Sequence, residues 1–536
     1  MSNNIQSLFT KKKVRLILFI IFFLNVAVRL PGIFQEMPPN TYCDEDLIIN
    51  YAYKNYSENK IYYYGIAQIN YYLGAIPAYI TEFLIKEKIS KDRFLVFARL
   101  LGPVLFNSIS ALIIFIILFI LFESISLCTI FSTLYTFSPM ILGLSRIFYP
   151  DHYMIIFSTI CLFLSILLRN GISNKLCIIS GGFFVATAAS IKLHGFVLIL
   201  PLIISNLNFQ RVGSKFKILP IKSSMIRIAC LVFCSLAFFI LLNPFLYVEG
   251  FSVLENYITW KTGNYLQNPE YMTSNTPHLF YILITSFTPF GVTASLLFFF
   301  GLIKLFQKDL KLFTILISCP LVLIFYFGQF KLVSIRNMIL ALPFILIYIA
   351  YGYSFLMIKI KNSIQRYIII LVLFIEPIPK SLFSFSRDFE IDSRIKTKEW
   401  VSENIAEGST IASNSGCFQP LPFDTVKYFP VDLGFSSEMF YPNDYNGIDY
   451  LIIDSWFGDM IEKNKHKSEQ SLMVIFIEKV FNNLSYINPS GLFHEELYKK
   501  GFARNNNFKH LQTIKGYGPS IFIYENKNRL IRNSKK

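Results

Sequence analysis

The feature that most constrains this chain is a succession of apolar runs, about eleven in number, each near the ~20 residues an α-helix needs to cross a bilayer. They fall at roughly 14–32, 93–121, 126–144, 152–168, 176–190, 195–207, 225–247, 278–303, 312–328, 337–358 and 367–385. The fifth and sixth are short for a full crossing. With 54% hydrophobic and only 16% charged residues over 536 positions, the expected architecture is a mostly α-helical polytopic membrane protein. The net charge of +16 does not indicate nucleic acid, because the basic residues sit in short clusters between apolar runs, as in the cytoplasmic loops of spanning proteins. The first run, Val14 to Leu30, follows Lys11, Lys12, Lys13 and Arg15 and has no small-residue cleavage site after it. It reads as a retained first span with its amino terminus inside.

One segment decides the topology. Tyr62 to Ile85 is apolar yet studded with tyrosine, glycine and proline. If it lies along the interface, the clusters Arg169/Lys175, Arg211 to Arg227, Lys304 to Lys311 and Lys359 to Arg366 all share the amino-terminal side, as the positive-inside rule requires. If it crosses, they all move outside. It is therefore read as an amphipathic juxtamembrane element within an external loop, 33–92. A transmembrane domain, 1–387, is expected to precede a soluble extracytoplasmic α/β domain, 388–536. In that tail helix-like stretches (Ile395 to Ile405, Leu472 to Leu484) alternate with strand-like ones (Thr410 to Ala412, Tyr450 to Ile453, Ser520 to Tyr524).

This threading gathers the unusual ionisable residues on one face. TYCDEDLIIN, residues 41–50, sets Asp44, Glu45 and Asp46 side by side just after the first span. Each would cost about 2.5–3.5 kcal/mol at the bilayer centre, so they belong to a wet rim or cavity. Adjacent carboxylates repel, which suits a group that accepts a proton or holds a cation; acidic residues opposing a helix macrodipole are the alternative. In SRIFYPDHYMIIF, residues 145–157, Arg146 and Asp151 flank a turn before a span, where Asp151 either caps the helix or faces the same cavity. AASIKLHGF, residues 188–196, places Lys192 and His194 between two short apolar segments, as functional cations or as a snorkelling lysine beside a turn. QFKLVSIRNMILALP adds Lys331 and Arg336. Arginine grips a phosphate through paired donors, and lysine acts as a point charge. Six cysteines lie within or beside apolar runs without zinc or redox spacing, and only Cys43 and Cys417 fall in polar sequence, where a disulfide is conceivable.

At these residues the chain resembles the large membrane glycosyltransferases of the protein O-mannosyltransferase and lipid A aminoarabinose transferase type, with a GT-C fold. The resemblance rests on the Asp44-Glu45 pair after the first span, Arg146 to Asp151, Lys192 to Gly195, and Arg336 before Leu342-Pro343, in order over roughly residues 10–360. It implies transfer of a sugar from a polyprenyl-phosphate donor to an extracytoplasmic protein, lipid or glycan, with inversion. It also implies Asp44 as general base, Glu45 and Asp151 positioning the acceptor or a cation, and Lys192, Arg336 and Arg146 holding the leaving phosphate. The Lys-Pro-Pro-Leu-type stretch of many bacterial relatives is absent. Tyrosine-rich sequence including Tyr64 replaces it, and those rings either stack on sugar faces or form an aromatic belt at headgroup level. No cofactor is assigned, although three carboxylates are compatible with a divalent cation. A transporter or flippase for lipid-linked sugars, and a surface polysaccharide polymerase or ligase, are the alternatives.

Overall fold

The computed structural model describes residues 12–34, 43–58, 68–145, 150–172, 175–212, 215–219, 222–244, 289–327, 335–387, 389–391, 393–413, 426–432, 448–454, 508–515 and 521–526, with five isolated positions besides. The chain divides into two compact units, one of Met1–Ile33 with Ile48–Ser384 and one of Phe34–Leu47 with Phe385–Lys536.

Among the described residues the first unit is helical apart from one hairpin. Its elements run α1 (Lys12–Arg29), α2 (Cys43–Glu58, whose first residues belong to the second unit), α3 (Gln68–Ile85), α4 (Lys91–Arg99), α5 (Asn107–Phe122), α6 (Ile125–Thr136), α7 (Pro139–Leu144), α8 (Pro150–Arg169), α9 (Lys175–Ile191) and α10 (Ile199–Asn206). Strands β1 (Asn208–Val212) and β2 (Lys215–Leu219) precede α11 (Lys222–Leu242). Then follow α12 (Val292–Lys308), α13 (Leu310–Phe327), α14 (Leu342–Lys359), α15 (Ser363–Phe374) and α16 (Pro377–Arg387). Seven stretches among the described residues are long and apolar enough to cross a membrane: Lys12–Phe34, Lys91–Phe122, Asp151–Arg169, Lys222–Leu242, Leu310–Phe327, Arg336–Lys359 and Ser363–Ser386. Shorter apolar helices lie at Ile125–Thr136, Lys175–Ile191 and Leu193–Asn206. The chain is a multi-pass membrane protein. Two expected spans are interrupted, both at proline: 126–144 breaks before Pro139 and 367–385 breaks before Pro377, since proline cannot donate to the preceding turn.

Burial sorts the helices. Along α8 and α14 nearly every side is covered, whereas α11 and α15 leave Phe233, Leu236, Leu241, Ile368 and Leu371 exposed. A helix apolar all round is either buried in protein or bathed in lipid, and here both kinds occur. Close crossings depend on glycine. A Cβ on Gly301 of α12 would overlap the Tyr348 carbonyl of α14, and one on Gly352 would overlap the Leu297 carbonyl of α12. On α9, a Cβ at Gly182 would lie 2.6 Å from Cys234 Cβ of α11. Small residues let backbones approach where no hydrophobic drive separates helix from lipid.

Several hydroxyl side chains inside the bundle are satisfied locally, as a water-free interior favours. Ser108, Thr159, Ser165 and Ser190 each donate to the carbonyl four residues back. Arg169, at the end of α8, pairs with Asp309 in the α12–α13 link. Asp309 also accepts from the Leu312 N–H at 2.9 Å, capping α13.

The second unit contains α17 (Ser393–Asn404) and a five-stranded sheet in the order β4-β3-β5-β7-β6. Its strands are β3 (Thr410–Ser413), β4 (Phe429–Asp432), β5 (Tyr450–Asp454), β6 (Phe508–Ile514) and β7 (Ile521–Asn526). The first three run parallel, and β7 and β6 complete the sheet antiparallel. Val401 and Ile405 at the end of α17 cover Ile411, Tyr450, Ile452, Ile521 and Ile523 in one core. The α/β character expected of the tail is present. The expected helix Leu472 to Leu484 lies outside the described residues.

Candidate functional site

The site is built upward from Asp151. Pro150 opens α8, its fixed φ suiting a first helical position, and Asp151 follows in the first turn with its side chain fully buried. Lys192 Nζ donates to Asp151 Oδ1 at 2.8 Å. The other carboxylate oxygen, Oδ2, is buried and has no hydrogen-bond partner among the described residues. An ionised group in that position is held by its lysine, and removing one partner of such a pair typically costs about 3–5 kcal/mol.

Backbone geometry explains how Lys192 arrives there. It leaves α9 in an extended conformation, φ −146° and ψ 129°, and its carbonyl accepts from the Gly195 N–H at 2.7 Å. The following turn, Leu193–Leu198, folds back so closely that a Cβ on Gly195 would overlap the Ala188 backbone. Glycine at 195 is thus the residue that lets Lys192 end one helix and face another. His194 sits in the same turn with its ring edge-on to Phe327, centroids 5.0 Å apart. Phe327 closes α13.

Arg336 stands at the head of the turn Ile335–Ala341 and is partly buried. That turn is fastened to the amino-terminal half of α8, because Ser158 donates to the Leu340 carbonyl at 2.6 Å. The turn carrying Arg336 and the turn carrying His194, with Lys192 at its head, therefore each pack on α8, the helix of Asp151.

Sequence reasoning missed the polar scaffold beneath this corner. His152 Nδ1 lies 3.2 Å from Asn107 Nδ2, and His152 Nε2 lies 2.6 Å from the Leu144 carbonyl. Nε2 must donate to that carbonyl, which leaves Nδ1 to accept from the amide. Tyr135 Oη donates to Asn107 Oδ1 at 3.3 Å, and Asn107 also reaches the Pro103 carbonyl at 2.7 Å. His152 thereby ties together the two ends of the 145–149 link. Arg29, also buried, donates to Asn25 Oδ1 at 2.8 Å and to the Thr136 carbonyl at 3.2 Å. The signal was available as Asn25 and Arg29, four apart in the first apolar run.

Asp44 and Glu45 lie at the start of α2, in the first turn where the helix dipole favours acidic residues. Both belong to the second unit, and Asp151, Lys192, His194 and Arg336 to the first. Tyr64, Arg146 and Lys331 lie outside the described residues, as does Cys417 of the conceivable disulfide. Among the described residues no three His, Cys, Asp or Glu side chains group closely enough to hold a metal ion.

No protein-family model and no curated protein matches the chain. Among solved structures, the oligosaccharyltransferase of Archaeoglobus fulgidus in the apo form aligns with a TM-score of 0.54 at 11% identity, covering 83% of this chain and 70% of that one. The archaeal oligosaccharyltransferase AglB from the same organism, in complex with an inhibitory peptide and a dolichol-phosphate, gives 0.49 at 10% identity over 84% and 70%. ArnT from Cupriavidus metallidurans bound to undecaprenyl phosphate gives 0.49 at 8% identity over 95% and 97%. The apo alignment shows that the chain has the fold of the archaeal oligosaccharyltransferase, the GT-C type.

Proposed function

We propose that this protein is a membrane glycosyltransferase that moves a sugar from a polyprenyl-phosphate donor to an extracytoplasmic acceptor, with inversion. The observation that carries the reading is the buried Asp151–Lys192 pair, in which one carboxylate oxygen is neutralised and the other remains an unused acceptor. A carboxylate so placed can receive an acceptor hydroxyl or a cation. The fold shared with an oligosaccharyltransferase and the order of the four sequence motifs support the same chemistry.

In the reaction the acceptor oxygen attacks the anomeric carbon while the bond from that carbon to the phosphate oxygen breaks. Asp44 takes the hydroxyl proton, and Glu45 and Asp151 orient the acceptor. The phosphate leaves with the bonding pair and gains charge, which fixed cations stabilise best in a low-dielectric setting. Lys192, Arg336 and Arg146 supply that charge, with His194 and Lys331 beside them and Tyr64 against the sugar. The amino terminus is cytoplasmic, and the 388–536 domain faces the side on which transfer occurs.

The test uses the full chain in nanodiscs with a panel of short-chain polyprenyl-phosphate sugars and a panel of hydroxyl-bearing peptide, lipid and glycan acceptors, reading acceptor-dependent release of polyprenyl phosphate by mass spectrometry. The wild type is expected to turn over at least one donor, and Asp44→Asn to lose at least about a hundredfold in rate, the scale of a general base. Undiminished turnover by Asp44→Asn would remove the assigned base. Donor crossing the bilayer intact in proteoliposomes, without release of phosphate, would favour a flippase instead.

A further inference from the structure

We propose that the β1–β2 hairpin is a docking surface for the anionic lipid headgroups of the bilayer that holds the chain, a role independent of sugar transfer. The antiparallel register pairs Phe209 with Ile218, Gln210 with Lys217, Arg211 with Phe216 and Val212 with Lys215. By this register and the period of two, positions Phe209, Arg211, Phe216 and Ile218 share one face, and Asn208, Gln210, Val212, Lys215, Lys217 and Leu219 the other. One set of positions is therefore apolar but for Arg211, and the other is mixed and carries both lysines of the hairpin.

Such a hairpin does not stand alone. Two strands by themselves are marginal in water, and among the described elements the hairpin makes its only extensive packing within itself. Its location supplies the missing surface. It joins α10, ending at Asn206, to α11, beginning at Lys222, and α11 is long and apolar enough to span. Two residues separate Leu219 from Lys222, three peptide steps with a reach of about 10 Å, so the strands lie at the headgroup level.

Charge selects the occupant. Arg211, Lys215, Lys217, Lys222 and Arg227 follow within seventeen positions, and no acidic residue occurs between Asp151 and Glu249. A soluble partner covering the apolar face would have to bury Arg211 beside two phenylalanines. The bilayer interface offers acyl chain to the rings and phosphate to the guanidinium in one place. Basic clusters next to a span are drawn to anionic headgroups within a Debye length.

The experiment measures amide hydrogen exchange of residues 208–219 in the full chain, held in nanodiscs of phosphatidylcholine alone or mixed equally with phosphatidylglycerol. Exchange is expected to slow roughly tenfold or more in the anionic discs and to recover at about 1 M salt, where the Debye length is about 3 Å. The triple variant Arg211→Glu/Lys215→Glu/Lys217→Glu should lose this lipid dependence while exchange in α8 and α14 stays as in the wild type, which shows that the bundle is folded. Equal exchange in both lipids overturns the proposal. So does full protection in detergent, which means the hairpin packs on the protein, or protection that appears only with an added soluble protein.

Discussion

At the scale of single residues, the Asp151–Lys192 pair sets the energetics of the proposed site. Lys192→Met leaves a buried carboxylate without its cation and is expected to destabilise the bundle by about 3–5 kcal/mol, read as a lower unfolding midpoint in detergent. Adding Asp151→Leu should return most of that loss, because replacing both charges by apolar groups of similar size is often neutral. A double variant no more stable than Lys192→Met would show that the pair is not coupled as the 2.8 Å contact requires. His152 offers a second test. Asn107→Leu leaves its Nδ1 without the amide that it faces and is expected to cost about 1–3 kcal/mol. The ionisable members of this corner were legible, since charges inside apolar sequence stand out. Asn107 and Tyr135 were not, because neutral polar residues in spans are common and only their mutual distances show a network.

Glycine and proline dominate at the scale of elements. Gly301 and Gly352 face each other across the α12–α14 crossing, and an added Cβ on either meets a backbone carbonyl that cannot rotate away. Gly352→Ala is expected to destabilise by about 1–3 kcal/mol or more, visible as a lower yield of monodisperse protein and a lower midpoint. Gly143→Ala in α7 is the control. Nothing lies within 4 Å of its new Cβ, and replacing a helical glycine there should gain up to about 1 kcal/mol. If both variants behave alike, the crossing is not glycine-limited. Spans were readable from sequence because about 20 apolar residues have few alternatives in one chain. The breaks at Pro139 and Pro377 were readable too, as proline marks a helix boundary by its missing donor, yet the runs 126–144 and 367–385 were expected to continue through them. Glu376 shows why such a break is tolerated. Set in the turn between α15 and α16 and partly buried, its carboxylate accepts from the Val292 N–H at 2.7 Å and pairs with Lys380, capping α12 from far along the chain.

For the molecule as a whole, the arrangement of sides is the quantity to test. The proposed topology puts the 249–277 loop and the 388–536 domain outside and the hairpin inside. A cysteine-free background carrying Glu255→Cys should label with a membrane-impermeant maleimide from the outside of intact cells, and one carrying Ser214→Cys only after permeabilisation. Labelling in the opposite sense would overturn the threading and remove Asp44 from the compartment of transfer. Residue order alone makes this a helical membrane protein with an α/β tail, because hydropathy and period are local properties of the chain. It also placed Asp151 and Lys192 on separate turns. That these two meet, 41 positions apart, with one carboxylate oxygen left over, emerges from the packed fold. That outcome depends on how closely α9 and the turn after it fold back at Gly195, and close approach is a property of packed backbones that no residue pattern encodes alone.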